Sequence, residues 1–363
     1  MNKLGFGFLR LPRLHAENEK NIDYKLLETM VDTFLERGGV YFDTAYTYLD
    51  GISEEAIRRT LVERYPRSRY QLADKLPGYL VKQREDCERF FQIQCQRCNV
   101  TWFDVYLLHW LNRKNYKIAE RFQEFVFLQQ LKEAGKAKKI GFSYHGDAAL
   151  LEEILNDHPE VDIVQLQINY LDWNDLAIDS KGCYEVAQRH GKEIVVMEPV
   201  KGGTLAALPE EAEALLRQVH PDDSSASWAL RFAQGLEQVT TVLSGMNTLA
   251  QLEDNLRDTQ PLAAEELRVL ERVCEILNQT TTIPCTGCGY CVSHCPKKIP
   301  IPDCFRLYNS YARHPEEGWK IQPVYEKAPY SVGKPRIALA AGSVRKIARS
   351  KLQFRNGYLR LPR

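Results

Sequence analysis

No stretch of this chain approaches the roughly 20 consecutive apolar residues a helix needs to cross a bilayer, so no membrane span is expected. Net charge is missing too: 48 lysines and arginines balance 48 aspartates and glutamates, leaving no overall field that would favour a nucleic acid. No Gly-x-Gly-x-x-Gly turn opens a helix after a strand. The nearest approach, Leu4-Gly-Phe-Gly, is too short and runs into Arg10-Leu-Pro, which argues against a doubly wound dinucleotide-binding sheet. The start of the chain lacks the charged and apolar regions of a secretory leader and enters structure at once, so the cytoplasm is the expected location. A local absence completes the set. From Lys327 to Arg363 there are basic residues and no acidic ones, a tail better read as solvated and partly disordered than as a surface for an acidic partner.

What is present is an alternation of short apolar strands with longer amphipathic stretches. The expected strands are Lys3–Phe8, Val40–Asp43, Tyr70–Asp74, Asp104–His109, Lys138–Ser143, Asp162–Ile168, Glu193–Glu198 and Thr240–Ser244. Helical spacing falls on Tyr24–Arg37, Glu54–Arg64, Glu85–Cys98, Ile118–Ala134, Asp147–Leu155, Ser180–His190 and Ser224–Gln234, with Leu249–Arg257 and Ala263–Leu277 closing the order. Eight strands alternating with helices predict a closed parallel barrel, with an open sheet as the alternative. The 363 residues leave room for a smaller module beyond it. The expected organisation is a barrel over 1–279, a cysteine module over 280–315 with a helix near Cys304–Arg313, and the basic tail over 316–363.

The cysteine module carries Cys285-Thr-Gly-Cys288-Gly-Tyr-Cys291-Val-Ser-His-Cys295 followed by Pro296. This is the spacing of a bacterial ferredoxin run, in which thiolates two residues apart wrap a 4Fe-4S cluster. Zinc competes less well, because structural zinc sites usually draw on two pairs separated by a longer finger. Cys87, Cys95 and Cys98 on one helix, together with Cys183 and Cys274, read as small core residues.

Barrel enzymes place their chemistry where the strands end. There the sequence puts an acid, a phenol, an ammonium and an imidazole: Asp43 and Tyr48 after the second strand, Lys75 after the third, His109 closing the fourth. A lysine beside a tyrosine favours the phenolate and lowers its pKa, a carboxylate keeps the lysine charged, and a histidine can donate to a substrate oxygen. Such a set protonates an oxygen as hydride arrives at carbon; with no nucleophile among its members, hydrolysis is disfavoured.

Four segments, Tyr41-Phe-Asp43-Thr-Ala-Tyr-Thr-Tyr48, Leu72-Ala-Asp-Lys75, Asp104-Val-Tyr-Leu-Leu-His109 and Lys139-Ile-Gly-Phe-Ser143, closely resemble the aldo-keto reductase family, in the family's order over roughly residues 3 to 278. The resemblance implies a TIM (β/α)8 barrel and NADP- or NAD-dependent reduction of an aldehyde or ketone. It makes Tyr48 the general acid, tuned by Lys75, with Asp43 paired to Lys75 and His109 orienting the carbonyl. It also places the cofactor against Ser143, Gln165, Met197 (in place of a ring-stacking aromatic), Ser244, Gly245, Gln251 and Asn255. Trp110, Tyr170 and Trp173 are candidates for an aromatic wall around the substrate. The cysteine run in turn resembles that of the iron–sulfur branch of the family, whose ferredoxin-like extension implies an electron-transfer partner protein. That branch carries two runs and this chain has one, so Cys285, Cys288 and Cys291 keep three corners of a cluster. The fourth corner falls to Cys295, to Cys304 or to a group outside the chain, or stays open. A barrel that binds nicotinamide without turning it over, as a regulatory or redox-sensing subunit, is the rival from another class.

Overall fold

The computed structural model describes residues 3–15, 18, 20–174, 178–257, 260–279, 283, 300–302, 304, 305 and 308. The chain divides into two compact units, Met1–Glu271 and Arg272–Arg363. The first holds eight parallel strands closed in sequence order, each hydrogen-bonded to its neighbours and the last to the first. In chain order the elements are β1 (Leu4–Gly7), α1 (Tyr24–Glu36), β2 (Tyr41–Asp43), α2 (Ile52–Ile57), β3 (Gln71–Leu76), α3 (Glu85–Cys98), β4 (Phe103–Leu111), α4 (Arg113–Phe122), α5 (Glu124–Glu133) and β5 (Ala137–Tyr144). They continue as α6 (Ala148–Asp157), β6 (Ile163–Gln167), α7 (Ser180–Arg189), β7 (Glu193–Met197), α8 (Glu210–Val219), α9 (Ser225–Gln234), β8 (Val239–Ser244), α10 (Leu249–Asn255) and α11 (Ala264–Gln279).

Each expected strand is present, its ends shifted by two residues at most. Side chains alternate across the sheet, so each strand feeds two cores. Tyr41, Ala73, Val105, Leu107, Ile163, Val195 and Leu243 fill the barrel interior. Phe42, Leu72, Leu76, Tyr106, Leu108, Phe142, Val164 and Val196 face the surrounding helices. At the β5–β6 seam the backbones approach so closely that a Cβ on Gly141 would stand 1.9 Å from the Ile163 carbonyl oxygen, which leaves glycine as the residue that fits.

The helices begin where the sequence supplies caps. Asp23 accepts from Leu26 N–H at 3.0 Å, Asp147 from Leu150 N–H at 2.8 Å, and Ser224 from Ser227 N–H at 3.0 Å. Two expectations are corrected. The single helix expected over Ile118–Ala134 is two helices, α4 and α5, separated by Gln123 at φ +58°. Tertiary burial explains the break: after it Phe125 stacks on His158 with ring centroids 3.6 Å apart, and Glu124 turns under Gly78. The helix expected over Glu54–Arg64 is α2 continued by a wider π turn at Arg58–Val62. Helix α8 falls outside the expected helices.

In the second unit Cys304 is buried and its N–H donates to the Pro300 carbonyl at 3.2 Å. The run Cys285, Cys288, Cys291 and Cys295 lies outside the described residues, as do the basic tail and most of the helix expected over Cys304–Arg313. Among the described residues no helix is long and apolar enough to cross a membrane, and no cluster of three metal-ligating side chains occurs.

Candidate active site

Strand parity positions the site. Counting by twos from interior residues, Tyr41 leads to Asp43, Ala73 to Lys75, Leu107 to His109, Gly141 to Ser143, Ile163 to Gln165 and Val195 to Met197, so all six side chains fall on the inner face at the strand ends. Tyr48 joins them from the loop after β2, in a turn whose next three residues all have positive φ: Leu49 at +51°, Asp50 at +56° and Gly51 at +93°. That turn lifts the phenol over the end of β3.

Lys75 is the hub. It is fully buried, and its ammonium donates to Asp43 Oδ1 at 2.6 Å, to the Thr44 carbonyl at 2.8 Å and to Tyr48 OH at 3.4 Å. The Tyr48 and His109 rings meet edge to face with centroids 5.7 Å apart. Three of the four expected catalytic side chains are thus joined by hydrogen bonds and the fourth packs on the phenol. Burial works against the Lys75 charge, but the Asp43 carboxylate and then Tyr48 more than offset it, and the ammonium sits above its ordinary pKa. His109 is pushed down to about 3 by burial, then by Lys75 and His145, so its imidazole is neutral, with Nδ1 buried and unpaired.

For Tyr48 the expected tuning is corrected in its net sign. Lys75 does pull the phenol down, but burial is the larger effect, and the phenol stands above its ordinary value. It is therefore held protonated, with the lysine ready to favour the phenolate once the proton leaves.

His109 and Trp110 occupy an irregularity in the β4–β5 register between Leu108 and Leu111. Trp110 takes φ +64°, its N–H donating to Ser143 Oγ at 2.7 Å and its carbonyl accepting from Asn115 Nδ2 at 2.8 Å. A bulge of this kind re-aims side chains at a strand end. Here it leaves the Trp110 ring 47% exposed, edge-on to Tyr79 at 5.5 Å. Tyr170 and Trp173 instead pack edge-on against Phe232 of α9.

The expected cofactor residues line the same rim. Gln165 is 2% exposed, its Nε2 faces Met197 Sδ at 3.5 Å, and its Oε1 is buried with no partner. Asn255 Nδ2 donates to Ser244 Oγ at 3.0 Å, and Gln251 Oε1 accepts from Asn247 N–H at 2.9 Å, which stiffens the loop after β8.

Two features of the site carry no signal in the sequence. Arg10, in the loop after β1, lies between the loops after β7 and β8: a Cβ on Gly202 would stand 3.3 Å from its Nη2, and one on Gly245 3.3 Å from its Cβ. No sequence signal ties residue 10 to residues 202 and 245; only closure of β1 on β8 does. The second is a polar network on the outer face of β3. Asp74 Oδ1 accepts from Lys75 N–H at 2.7 Å and Gln94 Nε2 at 2.6 Å, while Glu54 Oε2 accepts from Arg97 Nη1 at 2.7 Å. The Asp-Lys adjacency and the Glu54–Arg97 separation gave no hint that they meet.

The helical cysteines are core, as read. Cys87, Cys95 and Cys98 are buried; burial pushes the Cys87 and Cys95 thiols up to about 12 and raises Cys98 well above its ordinary value, so none is a thiolate at neutral pH.

A closed parallel barrel with a proton-carrying phenol, ammonium and carboxylate at its C-terminal rim defines an oxidoreductase of the barrel-reductase class. The model of the Aldo/keto reductase family matches residues 3–275, and the chain belongs to that family. Solved structures agree in fold. An aldo-keto reductase from Bacillus halodurans in its holo form is 22% identical over 75% of this chain and 91% of that one, with a TM-score of 0.61. One from Klebsiella pneumoniae in complex with NADPH is 17% identical over 75% and 90% at 0.59, and one from Brucella melitensis 18% identical over 75% and 94% at 0.56. No curated protein matches the sequence.

Proposed function

We propose that this enzyme reduces an aldehyde or ketone with NADPH, Tyr48 delivering the proton. The observation that carries the reading is the buried chain Asp43–Lys75–Tyr48, closed by the neutral ring of His109. When bound, the nicotinamide supplies hydride to the carbonyl carbon. Tyr48 OH protonates the carbonyl oxygen, so the product is the alcohol. Lys75 stabilises the phenolate left behind, Asp43 holds Lys75 charged, and neutral His109 can donate to the carbonyl oxygen and orient it.

The residues present fit a nicotinamide dinucleotide. Gln165 Oε1, buried and unpaired, is an acceptor without a donor, which a carboxamide N–H would satisfy. Ser143 is committed to Trp110 N–H through its oxygen and retains its own proton to donate. Met197 offers a soft apolar contact to the ring. Ser244, Gly245, Gln251 and Asn255 frame the loop that would take phosphate, where barrels commonly bind it, and Arg10 supplies the cation there. The NADPH complex of the Klebsiella pneumoniae structure supports NADP over NAD.

The same reading includes an iron–sulfur cluster on Cys285, Cys288, Cys291 and Cys295, argued from the donor set: thiolates in Cys-x2-Cys-x2-Cys-x3-Cys-Pro spacing suit a 4Fe-4S cluster. It would pass electrons to or from a partner protein, or brace the extension. Iron and sulfide analysis after anaerobic purification tests it: about four irons per chain support a 4Fe-4S cluster, about three an open corner, and none removes the cluster from the reading.

The reductase reading is tested by following NADPH oxidation with a panel of aldehydes, ketones and quinones. Turnover by the wild type and a loss of 10²-fold or more in Tyr48→Phe, about the span of general acid catalysis, are expected. NADPH binding with no oxidation by any acceptor would favour the binding-only barrel.

A further inference from the structure

Behind the catalytic lysine, on the opposite face of the same strand, two carboxyl groups meet where no water reaches. Asp74 and Glu54 are both 0% exposed, and each carboxyl lies close enough to act on the other. Two ionised carboxylates cannot hydrogen-bond: each oxygen accepts and neither donates. Glu54 Oε1 is accordingly a buried oxygen with no donor among its neighbours as long as both groups are written as anions. One of the two carries a proton, and the surroundings say which. Burial raises Glu54, but its Oε2 is held by the Arg97 guanidinium at 2.7 Å, which favours its charge. Among the described residues no cation forms an ion pair with Asp74, and its Oδ1 is already occupied by Lys75 N–H and Gln94 Nε2. Its Oδ2 receives the weak thiol contact of Cys98 at 3.8 Å and is left to carry the proton.

We propose that Asp74 is a neutral acid whose Oδ2–H donates to Glu54 Oε1, and that its neutrality is a positioning and tuning device for Tyr48. The geometry gives this proton two routes to the phenol. Through the backbone, Asp74 Oδ1 fixes the N–H of Lys75, whose ammonium touches Tyr48 OH. Through the side chains, Glu54 fixes Arg97, whose Nη1 donates to the Tyr46 carbonyl at 3.3 Å and whose guanidinium lies 4.5 Å from the Tyr46 ring centroid, two residues before Tyr48. A Cβ on Gly51 would meet the same guanidinium at 2.7 Å, so both ends of the turn that carries Tyr48 rest on Arg97.

The groups facing Asp74 are Glu54 from α2, Gln94, Cys95 and Cys98 from α3 with Arg97 behind Glu54, Tyr106 from β4, and Lys75 and Tyr48 through the strand. Burial and the Glu54 charge push Asp74 well above the carboxylate range, and a charge on Asp74 would raise Tyr48 further. Keeping Asp74 neutral leaves Asp43 as the one anion beside Lys75, so the ammonium acts on the phenol undivided.

This device rests on the reading of Tyr48 as proton donor, and its test has an arm that does not. Asp74→Asn reproduces the neutral acid, with Oδ1 accepting and Nδ2 donating to Glu54. Glu54→Gln removes the neighbouring charge and frees Asp74 to ionise. In infrared difference spectra at neutral pH, wild type minus Asp74→Asn should show the C=O stretch of a protonated carboxylic acid. A carboxylate band in its place overturns the proposal whether or not the enzyme turns over. In the pH profile of carbonyl reduction, the basic limb should stay in place in Asp74→Asn and move up by about half to one pH unit in Glu54→Gln, returning in the double variant. Equal losses of kcat in both single variants with unmoved limbs would reduce the pair to packing and overturn the tuning role. Absence of turnover in the wild type would sink the reductase reading and leave the infrared result standing.

Discussion

Asp43 and Asp74 lie on adjacent strands, 2% and 0% exposed, yet they hold opposite states. Asp43 points into the barrel, where Lys75 Nζ at 2.6 Å keeps the pair ionised. Asp74, one residue before that lysine, points the other way and meets a second carboxyl instead of an ammonium. Both carboxyls are shifted upward chiefly by burial. What separates them is the partner: a cation within hydrogen-bond reach sustains a buried charge, and a like charge expels it by holding a proton. Strand parity, which sends residues 74 and 75 to opposite faces, lets one short segment hold both states.

The strongest way to break this contrast is to remove the cation. Lys75→Met leaves Asp43 buried without a partner, with an expected destabilisation of about 3–5 kcal/mol in denaturant unfolding and the loss of carbonyl reduction. Should Asp43 then take up a proton, its infrared signature would come to resemble that of Asp74. A third carboxyl sharpens the rule. Glu124 is 1% exposed, its Oε1 has no partner, and burial alone raises it to about 8. A carboxyl raised in the fold is neutral there while the unfolded chain ionises, so its contribution is intact below about 4.5 and falls as pH rises toward 8. Glu124→Gln should abolish that loss, on the order of 4–5 kcal/mol at the upper end, seen as a flatter dependence of thermal stability on pH. The smallest effect is the displaced basic limb of Glu54→Gln, where the charge at position 74 changes and every hydrogen bond can be kept.

Histidine acts in the opposite window. His109 and His145 are lowered to about 3 and about 4 by burial, so they are neutral in the fold while the unfolded chain binds protons below about 6.5. Their contribution to stability is therefore complete above that pH and is lost as pH falls toward 4.

The barrel and its inner face were legible because both rest on short-range periodicity. Asp43, Lys75 and His109 lie at strand ends in phase with apolar residues two positions earlier, and Tyr48 follows within one loop. Ser143, Gln165 and Met197 came from the resemblance to the family, and they fall in the same phase. The break at Gln123 was not legible, because no glycine or proline marks it and it is imposed by the burial of Phe125 against His158. Arg10 escaped for a related reason: its neighbours Gly202 and Gly245 come from the far end of the chain. The Glu54–Asp74 pair was hidden by its charges. A sequence shows two acids twenty positions apart with no sign that they meet; only the packing of α2 and α3 on β3 puts them in one dry space. The net state of Tyr48 was hidden in the same way, since the lysine was visible and the burial was not.

The measurement that bears most directly on the reductase itself is single-turnover oxidation of NADPH by Tyr48→Phe with an aldehyde that the wild type reduces. Binding of NADPH at the wild-type affinity with the hydride step slowed by about 10²-fold or more is the expected result. An unslowed hydride step would show that the proton comes from elsewhere and would contradict the role given to the chain Asp43–Lys75–Tyr48.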